Sequence, residues 1–369
     1  MDLSNNITPP TNLGTKVKVD EVERFIVTCL VKCGVPVDKA TQVAEVLVAA
    51  DIRGHYSHGI QRLEMYLNRI QHNLIEVSKE PSVLKQTSAT ALVDGQHALG
   101  AVVANFSMDL AICKAKKEGI GCVVTKGSNH YGIAGHYATR AMQQGCVGLS
   151  FSNTPPAVVA SGGSKRSIGT NPISLAAPAL QGDGFVLDMA TSVVSFGKVV
   201  VADLKGEKVP DNWVVDKAGR NTQDPSQLLR QGGALLPLGG SVLHSNYKGL
   251  GLGVMVEILC SILSGGPHGK YVPWKTDLER QSDISHCFIA INPEMFAEGF
   301  QERLSDLMAQ IRDTEPVDPE YPVQVAGDPE RQMMTRVEKE GAITYHINQI
   351  NKLWHLATHL GVEPIRTIN

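Results

Sequence analysis

Three side chains that could handle a small carboxylic acid lie close together early in the chain: His58, Arg62 and Tyr66. If a helix begins at Ser57, they occupy positions i, i+4 and i+8, along one side of that helix. The buried stripe would lie about 120° away and would comprise Ile60, Leu63, Leu67 and Ile70. An imidazole exchanges a proton near neutral pH, a guanidinium grips a carboxylate with two hydrogen bonds, and a phenol adds a hydroxyl. Such a face suits a hydroxy or keto acid; the alternative is a solvated helix face that begins with a capping serine.

A second candidate cluster runs from Ser128 to His136 and contains His130. It follows a predicted strand and precedes a helix that opens near Ala134, a place where phosphates often bind. His130 is therefore another acid/base candidate. The alternative is a loop histidine whose ring nitrogen satisfies a nearby backbone group.

Familiar nucleotide motifs do not match. The glycines of Gly249-Leu-Gly251-Leu-Gly253 have the wrong spacing for GxGxxG and precede an apolar helix, and the segment from Gly162 to Thr170 lacks the end of a P-loop. A standard Rossmann unit is therefore not expected to hold a nucleotide here.

Metal and hydrolase signals are weak. His355 and His359 lie four residues apart but lack the glutamate of the zinc-protease motif, and the pair His55 and His58 has no accompanying carboxylate cluster. No GxSxG elbow is present. We expect no metal site and no serine hydrolase.

The N-terminal part of the chain is predicted to be helical. Apolar residues at helical spacing indicate a helix over Val22–Cys33, which begins with a capping-box-like pair, Asp20 and Glu23. A second helix is predicted from about Asp38 to Ile52, and the third is the one that follows Ser57.

From about residue 89 the pattern changes to short apolar runs separated by glycine-rich turns, which predicts strands. These runs are Thr90–Val93, Gly121–Thr125, Val147–Ser152 and Phe185–Met189. Helices are predicted over Ala101–Lys117 and Gly249–Leu263.

Near the C-terminus, a proline-rich loop at residues 314–330 precedes two predicted helices, Pro329–Glu340 and Ile347–Leu360. We therefore expect three parts: an N-terminal helical segment (1–88), a central α/β domain (89–313) and a C-terminal segment (314–369) that packs on the N-terminal helices.

Composition excludes several classes of protein. The 369 residues include 34 Lys and Arg against 37 Asp and Glu, a formal net charge of -3, which argues against a nucleic-acid binder. No apolar stretch approaches the roughly 18 residues of a membrane span, and the polar N-terminus does not resemble a signal peptide. Seven cysteines without a CxxC pair suggest reduced, structural thiols in the cytoplasm.

Five motifs, in order along the chain, resemble those of one known family. They are His55-Tyr-Ser57-His58-Gly59-Ile-Gln-Arg62, Ser128-Asn-His130-Tyr-Gly132, Gly169-Thr-Asn-Pro172, Leu187-Asp-Met-Ala-Thr-Ser192 and Tyr247-Lys-Gly-Leu-Gly251. Together they resemble the type-2 malate/L-lactate dehydrogenase family, which also includes sulfolactate, ureidoglycolate and diketogulonate oxidoreductases and cyclic ketimine reductases. The resemblance runs from about residue 17 to residue 361.

The resemblance implies an α/β enzyme whose nucleotide-binding domain is not a Rossmann unit. This domain would have its own mixed sheet and pack on a helical domain built from both chain ends, in a homodimer. It further implies that a hydride passes between nicotinamide and the α-carbon of a 2-hydroxy or 2-keto acid. NAD is expected as the cofactor, with NADP as the alternative. Malate and oxaloacetate are the expected substrates, because the chain most resembles members named malate dehydrogenase.

Roles for single residues are also implied by the resemblance. His58, held in its tautomer by Ser57, would give and take the proton, although His130 occupies the position credited with acid/base work in some members. Arg62 and Tyr66 would face the substrate carboxylate. The residues implied to line the cofactor are Tyr131, Gly132, Ile133, Ala134, Gly135, Asp188, Met189, Ala190, Lys248 and Gly327.

The chain departs from the family pattern between Gly240 and Tyr247, where six residues, Ser241 to Asn246, replace a short connection. This insertion lies beside the implied cofactor contacts. Alternatives to malate are lactate, sulfolactate and a cyclic ketimine reduced to an amino acid. A catalytically silent homologue is the alternative outside enzymes.

Overall fold

The computed structural model describes residues 14–273 and 278–368. The polar segment before residue 14, where no signal peptide is expected, lies outside the described residues.

Helices and strands alternate through most of the described chain. The α-helices are α1 (Val19–Lys32), α2 (Val37–Ile52), α3 (Leu63–Gln71), α4 (Gly100–Glu118), α5 (Ala134–Met142), α6 (Phe196–Lys205), α7 (Pro225–Arg230), α8 (Tyr247–Glu257), α9 (Phe300–Arg312), α10 (Asp328–Glu340) and α11 (Ile347–Leu360). The strands are β1 (Gly14–Lys18), β2 (Ser82–Gln86), β3 (Thr90–Asp94), β4 (Ile120–Ser128), β5 (Val147–Ser152), β6 (Val158–Val159), β7 (Arg166–Ile168), β8 (Ile173–Pro178), β9 (Gly184–Met189), β10 (Val214–Val215), β11 (Asn221–Thr222), β12 (Ala234–Leu235), β13 (Ile284–Ile291) and β14 (Ala342–His346).

The two ends of the described chain meet. Strand β1 pairs antiparallel with β14, so that Val17 lies opposite Ile343, and both side chains are fully buried. Helices α1, α2, α3, α10 and α11 contribute to the same hydrophobic core, among others through Phe25, Leu47 and Ile350. The N- and C-terminal segments therefore pack on each other.

A mixed sheet of seven strands forms the centre, in the order β2-β3-β4-β13-β5-β8-β9. Among these described strands only β3 and β4 run parallel; every other neighbouring pair is antiparallel. Helices α4 and α5 pack against the sheet. The α/β class with a mixed sheet is confirmed, and the strand order and directions differ from those of a parallel, doubly wound sheet.

A second sheet of short strands, in the order β11-β10-β12-β6-β7, stands beside the central one. Its own small core contains Val199 of α6 and Leu228 of α7 together with Val158, Val214 and Leu235 of the strands. Helix α6 is thereby fixed against this sheet.

Most predicted helices and strands are confirmed to within a few residues, but three details are wrong. Helix α1 follows β1 directly; its N-cap is Lys18, without a side-chain cap, and the Asp20 carboxylate accepts from the adjacent Glu21 N–H. The helix predicted over Gly249–Leu263, which contains the glycine run, begins earlier, at Tyr247, and gives way at Ile258–Ile262 to a π-helical turn. No α-helix begins at Ser57; this segment forms two 3₁₀ turns, and the next α-helix begins at Leu63.

Candidate active site

The segment that carries His58 and Arg62 is built from two short 3₁₀ turns, Tyr56–His58 and Ile60–Arg62, and α3 begins only at Leu63. Gly59, between the turns, has a backbone outside the helical region (φ -88°, ψ -144°), which interrupts helical hydrogen bonding. The predicted single helical stripe of His58, Arg62 and Tyr66 is therefore wrong. The three residues nevertheless line one cavity.

Ser57 contacts both candidate side chains of this segment. Its hydroxyl lies 2.9 Å from Nδ1 of His58, and its carbonyl oxygen accepts a hydrogen bond of 2.6 Å from Nε of Arg62. Burial lowers the pKa of the Arg62 guanidinium, because a charged group loses hydration there. Helix α6 begins directly against this turn, since a Cβ on Gly197 would lie 2.5 Å from the Cβ of Ser57.

His130 reaches the same cavity from the loop between β4 and α5. Its Nδ1 lies 2.7 Å from the Tyr66 hydroxyl and accepts a 3.3 Å hydrogen bond from the Gly132 N–H. The rings of His58 and His130 are nearly parallel, with centroids 6.0 Å apart. Two imidazoles, each with a hydroxyl partner, thus face one space.

The backbone around His130 is held tightly. The buried Asn129 amide donates to the carbonyl oxygens of His97 and Ala98, both at 2.9 Å. A Cβ on Gly100, at the start of α4, would lie 2.3 Å from the His130 carbonyl oxygen. This close packing fixes the position from which the imidazole projects.

A buried histidine that sequence reasoning missed supports the same loop. His286 of β13 is fully buried, stacks on the Tyr131 ring at 4.4 Å, and bridges the hydroxyls of Ser152 (3.0 Å) and Ser128 (2.8 Å). Burial lowers its pKa to about 3, so the ring is neutral at physiological pH. Its place within an apolar strand gave no sign of this role.

The start of α5 is occupied by a carboxylate of the chain itself. The Gly135 N–H donates to Oδ2 of Asp188 at 2.7 Å, and burial raises the pKa of that carboxyl group. A Cβ on Gly135 would lie 2.6 Å from the same oxygen. The expectation that this helix start is open to a phosphate is therefore corrected: Asp188 caps it.

The cavity has a volume of about 980 Å³. Its wall includes every predicted catalytic and substrate residue (Ser57, His58, Arg62, Tyr66, His130) and most of the predicted cofactor residues (Tyr131, Gly132, Ile133, Ala134, Asp188, Met189, Ala190). The wall also contains Lys198, at a position that varies across the family with substrate, and two residues that were not predicted, Arg166 and Glu330. Glu330 lies 3.6 Å from Nε2 of His55.

Three predicted cofactor residues are not in that wall. Gly135 lies behind Asp188, as described above. Lys248 is exposed on α8. Gly327 precedes α10 with a left-handed backbone (φ +99°) and packs against Val186 of β9. The resemblance to the family implied these positions along the chain but not the direction in which each residue faces.

The inserted segment folds as a 3₁₀ turn, Val242–His244, followed by a buried Asn246. Asn246 accepts from the Ser161 hydroxyl at 2.5 Å and donates to the Gly240 carbonyl oxygen at 2.8 Å. His244 is exposed and lies 2.8 Å from Ser241 Oγ. The insertion is thus anchored to the glycine-rich loop that follows β6, outside the cavity wall.

Within residues 14–273 and 278–368, no three histidine, cysteine or acidic side chains come together as a metal site would require. No helix in this part of the chain is long and apolar enough to cross a membrane.

Comparison with known proteins gives a consistent result. The family model described as malate/L-lactate dehydrogenase matches residues 17–354. A malate dehydrogenase of Pyrococcus abyssi is 43% identical over 302 residues, 81% of this chain and 82% of that protein. An L-sulfolactate dehydrogenase of Methanocaldococcus jannaschii is 35% identical over 350 residues, 94% of this chain and 97% of that protein.

Solved structures are similar over nearly the whole chain. Malate dehydrogenase from Pyrococcus horikoshii has a TM-score of 0.88 at 38% identity, covering 97% of this chain and 99% of that one. A delta1-piperideine-2-carboxylate reductase from Pseudomonas syringae has a TM-score of 0.82 at 28% identity, covering 93% and 99%. The resemblance seen in the five motifs is confirmed: the chain belongs to the malate/L-lactate dehydrogenase family and is a dehydrogenase.

Proposed function

We propose that this protein interconverts malate and oxaloacetate, with a nicotinamide nucleotide as the second substrate. The observation that carries the proposal is the meeting of His58, Arg62 and His130 in one cavity of a dehydrogenase of this family. The malate dehydrogenases of the two Pyrococcus species support the choice of acid.

Arg62 is proposed to bind the carboxylate next to the reacting carbon. Its Nε is tied to the Ser57 carbonyl oxygen, which orients the planar guanidinium. Burial strengthens its attraction for an anion, because little water screens the charge. Tyr66 borders the same space, and its hydroxyl is committed to His130.

His58 is proposed to move the proton of the substrate hydroxyl. Nδ1 of His130 receives the Gly132 N–H, which assigns the proton of the neutral His130 ring to Nε2. His58 instead faces the Ser57 hydroxyl, which can donate or accept, so His58 has a partner in both its neutral and its protonated form. His130, through Nε2–H, would hydrogen-bond the substrate oxygen.

The donor set of the cavity fits a nicotinamide nucleotide. Arg166 and Lys198 provide positive charge for phosphates, Asp188 and Glu330 provide acceptors for ribose hydroxyls, and Trp213 with Leu228 provides apolar surface for a flat ring. The predicted cofactor residues from Tyr131 to Ala134 and from Asp188 to Ala190 line the same cavity, and Gly135 contacts Asp188. Contact of these residues, and of Lys248 and Gly327, with the nucleotide is a prediction. When bound, the nucleotide supplies the hydride acceptor or donor.

We propose NAD rather than NADP as the preferred cofactor. Burial raises the pKa of Asp188, and Glu330 lies close enough to raise it further, while His55 and Arg53 act in the opposite direction. Two neighbouring carboxyl groups would accept hydrogen bonds from a ribose diol and repel a 2′-phosphate. Preference for NADPH in a parallel assay would contradict this assignment.

A cyclic ketimine is the second candidate substrate, favoured by the structural likeness to the piperideine-2-carboxylate reductase. Sulfolactate and lactate are further candidates within the same chemistry, the first because of the relative from Methanocaldococcus jannaschii. All of these acids carry a carboxylate beside the reacting carbon, which Arg62 would bind in the same way.

We further propose a homodimer formed through α8. Large apolar side chains are exposed along one face of α8 and its π-helical extension. They are Tyr247, Val254, Met255, Ile258 and Ile262. A stripe of this kind on a surface helix needs a partner, and a two-fold axis would pair it with its own copy.

The domain division at residues 88 and 313 remains a proposal, supported by the pairing of β1 with β14. The cytoplasm is proposed as the compartment, supported by seven cysteines that all carry free thiols.

A substrate panel tests the proposed activity. Purified protein is mixed with NADH and, separately, NADPH and one of four compounds: oxaloacetate, pyruvate, sulfopyruvate or a cyclic ketimine carboxylate. The highest kcat/KM is expected for oxaloacetate. A higher value for the cyclic imine would select the reductase, and binding of NADH without turnover of any compound would indicate a silent homologue.

A further inference from the structure

A buried carboxyl group lies behind the turn that carries His58 and Arg62. Asp51, near the end of α2, is fully buried. Its Oδ2 accepts two hydrogen bonds, one of 2.9 Å from the Ile60 N–H and one of 2.8 Å from the Tyr345 hydroxyl. Ile60 stands midway between His58 and Arg62, so the backbone of the turn is tied to Asp51 at its centre.

The turn and the carboxyl group are in direct contact. A Cβ on Gly59 would lie 1.7 Å from Oδ1 of Asp51, although the φ of Gly59 is one that any residue adopts. The approach of Asp51 therefore requires glycine at this position. The turn rests on the carboxyl group with no space between them.

Tyr345 brings the other end of the chain to the same point. It is buried in β14, which pairs with β1, and its ring meets the edge of the Tyr56 ring with centroids 6.0 Å apart. Tyr56 begins the first 3₁₀ turn. Both turns are therefore supported by Tyr345, one through ring contact and one through Asp51.

Burying a carboxyl group in an apolar core is unfavourable in free energy, and an aliphatic side chain at this position would not carry that penalty. Burial raises the pKa of Asp51 to about 7, so the group holds a proton through much of the acidic range. The buried carboxyl group provides a hydrogen-bond acceptor for the Ile60 N–H of the turn. A neutral amide of the same shape could supply that acceptor as well.

We propose that Asp51 is a positioning residue, with Tyr345 as its partner: together they fix the turn at Ile60 and so set the separation of the His58 imidazole from the Arg62 guanidinium. This inference rests on the proposed function, in which His58 and Arg62 act on the substrate. Neither Asp51 nor Tyr345 lines the cavity described above, so neither would touch the substrate.

Loss of this support should change KM and kcat for the keto acid but not the affinity for NADH. A displaced turn should raise KM for the keto acid through Arg62 and lower kcat through His58. The affinity for NADH should change little, because the cavity wall formed by Asp188, Met189 and Arg166 comes from other strands.

Three variants test it. In Asp51→Asn the amide oxygen can accept both hydrogen bonds, so kcat/KM for oxaloacetate should stay within about threefold of the wild type, whereas Asp51→Leu, which lacks an acceptor, should lose about a hundredfold. Tyr345→Phe, which removes one of the two bonds, should lose about five- to tenfold. The dissociation constant for NADH, measured by calorimetry, should stay within about twofold of the wild type in all three.

Ile343→Ala is the matched control. Ile343 is buried in the same strand as Tyr345, and its replacement removes packing but no hydrogen bond to the turn. It should lower the melting temperature and leave kcat and KM near the wild-type values. An equal kinetic loss in Ile343→Ala and Tyr345→Phe would overturn the inference, as would wild-type kinetics in Asp51→Leu. If Asp51→Leu does not fold, the comparison of Tyr345→Phe with Ile343→Ala decides.

The failure of this inference differs from the failure of the proposed function. If His58→Ala and Arg62→Lys are fully active, the proposed site is wrong and the inference falls with it. If those variants are impaired while Asp51→Leu and Tyr345→Phe behave as wild type, the site stands and only the positioning role is overturned.

Discussion

His58 and His130 come from parts of the chain that are far apart in sequence, yet their rings lie parallel with centroids 6.0 Å apart. Their hydroxyl partners differ: Ser57 is the neighbour of His58 in sequence, whereas Tyr66 reaches His130 from α3. Because the Gly132 N–H also points at Nδ1 of His130, the two imidazoles are not equivalent. This asymmetry is the basis for assigning the proton to His58.

The assignment is tested by a pair of alanine variants. His58→Ala should lower kcat by about a hundredfold or more, since a general acid/base contributes that much. His130→Ala should retain more activity than His58→Ala, because it loses a hydrogen bond to the substrate and not the proton carrier. Steady-state kinetics of both variants with oxaloacetate and NADH give the comparison. A nearly normal His58→Ala beside a crippled His130→Ala would reverse the roles.

The proposed role of Arg62 in binding the substrate carboxylate is tested by a lysine substitution. In Arg62→Lys a flexible point charge replaces a planar fork that Ser57 orients through Nε. The KM for oxaloacetate should rise by about tenfold or more, as expected for the loss of a bidentate contact, while the affinity for NADH stays the same. Unchanged kcat and KM would remove Arg62 from the substrate site.

At the scale of elements, the loop before α10 is fixed by a network of ion pairs. Arg312 at the end of α9 contacts Asp183 (2.7 Å) and Asp328 (2.7 Å), and Arg331 contacts Asp328 as well. These hydrogen bonds hold the pKa of Asp328 down at about 2, against the opposing effect of burial. The network joins α9 and α10 to the residue preceding β9, the strand that ends at Asp188 and Met189.

Removal of Arg312 should therefore destabilise the fold in a pH-dependent way. Arg312→Ala is expected to cost about 1–3 kcal/mol at neutral pH, between the values for exposed and buried pairs. A carboxyl group with a lowered pKa stabilises the folded state above its unfolded pKa of about 4, and this stabilisation is lost as the pH falls through the folded value. Urea melts of wild type and variant should thus differ at pH 7 and converge as the pH falls from about 4 toward 2. A constant difference over that range would contradict this account.

Element positions were largely predictable from the sequence, and the exceptions have physical causes. Ile347–Leu360 was predicted to its ends, because a full amphipathic period and a terminal glycine are local signals. The helix expected from Ser57 is wrong because the apolar residues Ile60, Leu63 and Leu67 all follow Gly59, so their spacing says nothing about the residues before it. Gly59 itself is not helical and lies against Asp51. That contact is a tertiary interaction which spacing does not encode.

For the candidate site, the sequence indicated the residues that stand in short motifs but not those that join distant parts of the chain. Ser57, His58 and His130 stand in short motifs whose residue types and order single them out, and the structure brings all three to one cavity, while their roles stay predictions. Residues such as His286, Glu330 and Asp51 were missed, because each acts across strands or helices that only the folded chain brings together. The α5 start was predicted as a phosphate site, yet a carboxylate from another strand fills it.

At the scale of the whole molecule, the exposed apolar stripe of α8 predicts self-association. Ile258 lies at its centre and is 49% exposed. Replacing it with a charge, Ile258→Glu, should prevent an apolar two-fold contact. Sedimentation equilibrium is expected to give a dimer for the wild type and a monomer for the variant. A monomeric wild type, or a variant that stays dimeric, would exclude α8 as the interface.

The most direct test of the central claim is the loss of NADH absorbance when the wild-type protein meets oxaloacetate, followed beside His58→Ala. The account predicts rapid oxidation by the wild type and a rate lower by about a hundredfold or more in the variant, with equal melting temperatures and equal NADH affinity. If the wild type binds NADH but leaves oxaloacetate unreduced, or if the two proteins react at the same rate, the cavity around His58 is not a malate dehydrogenase site.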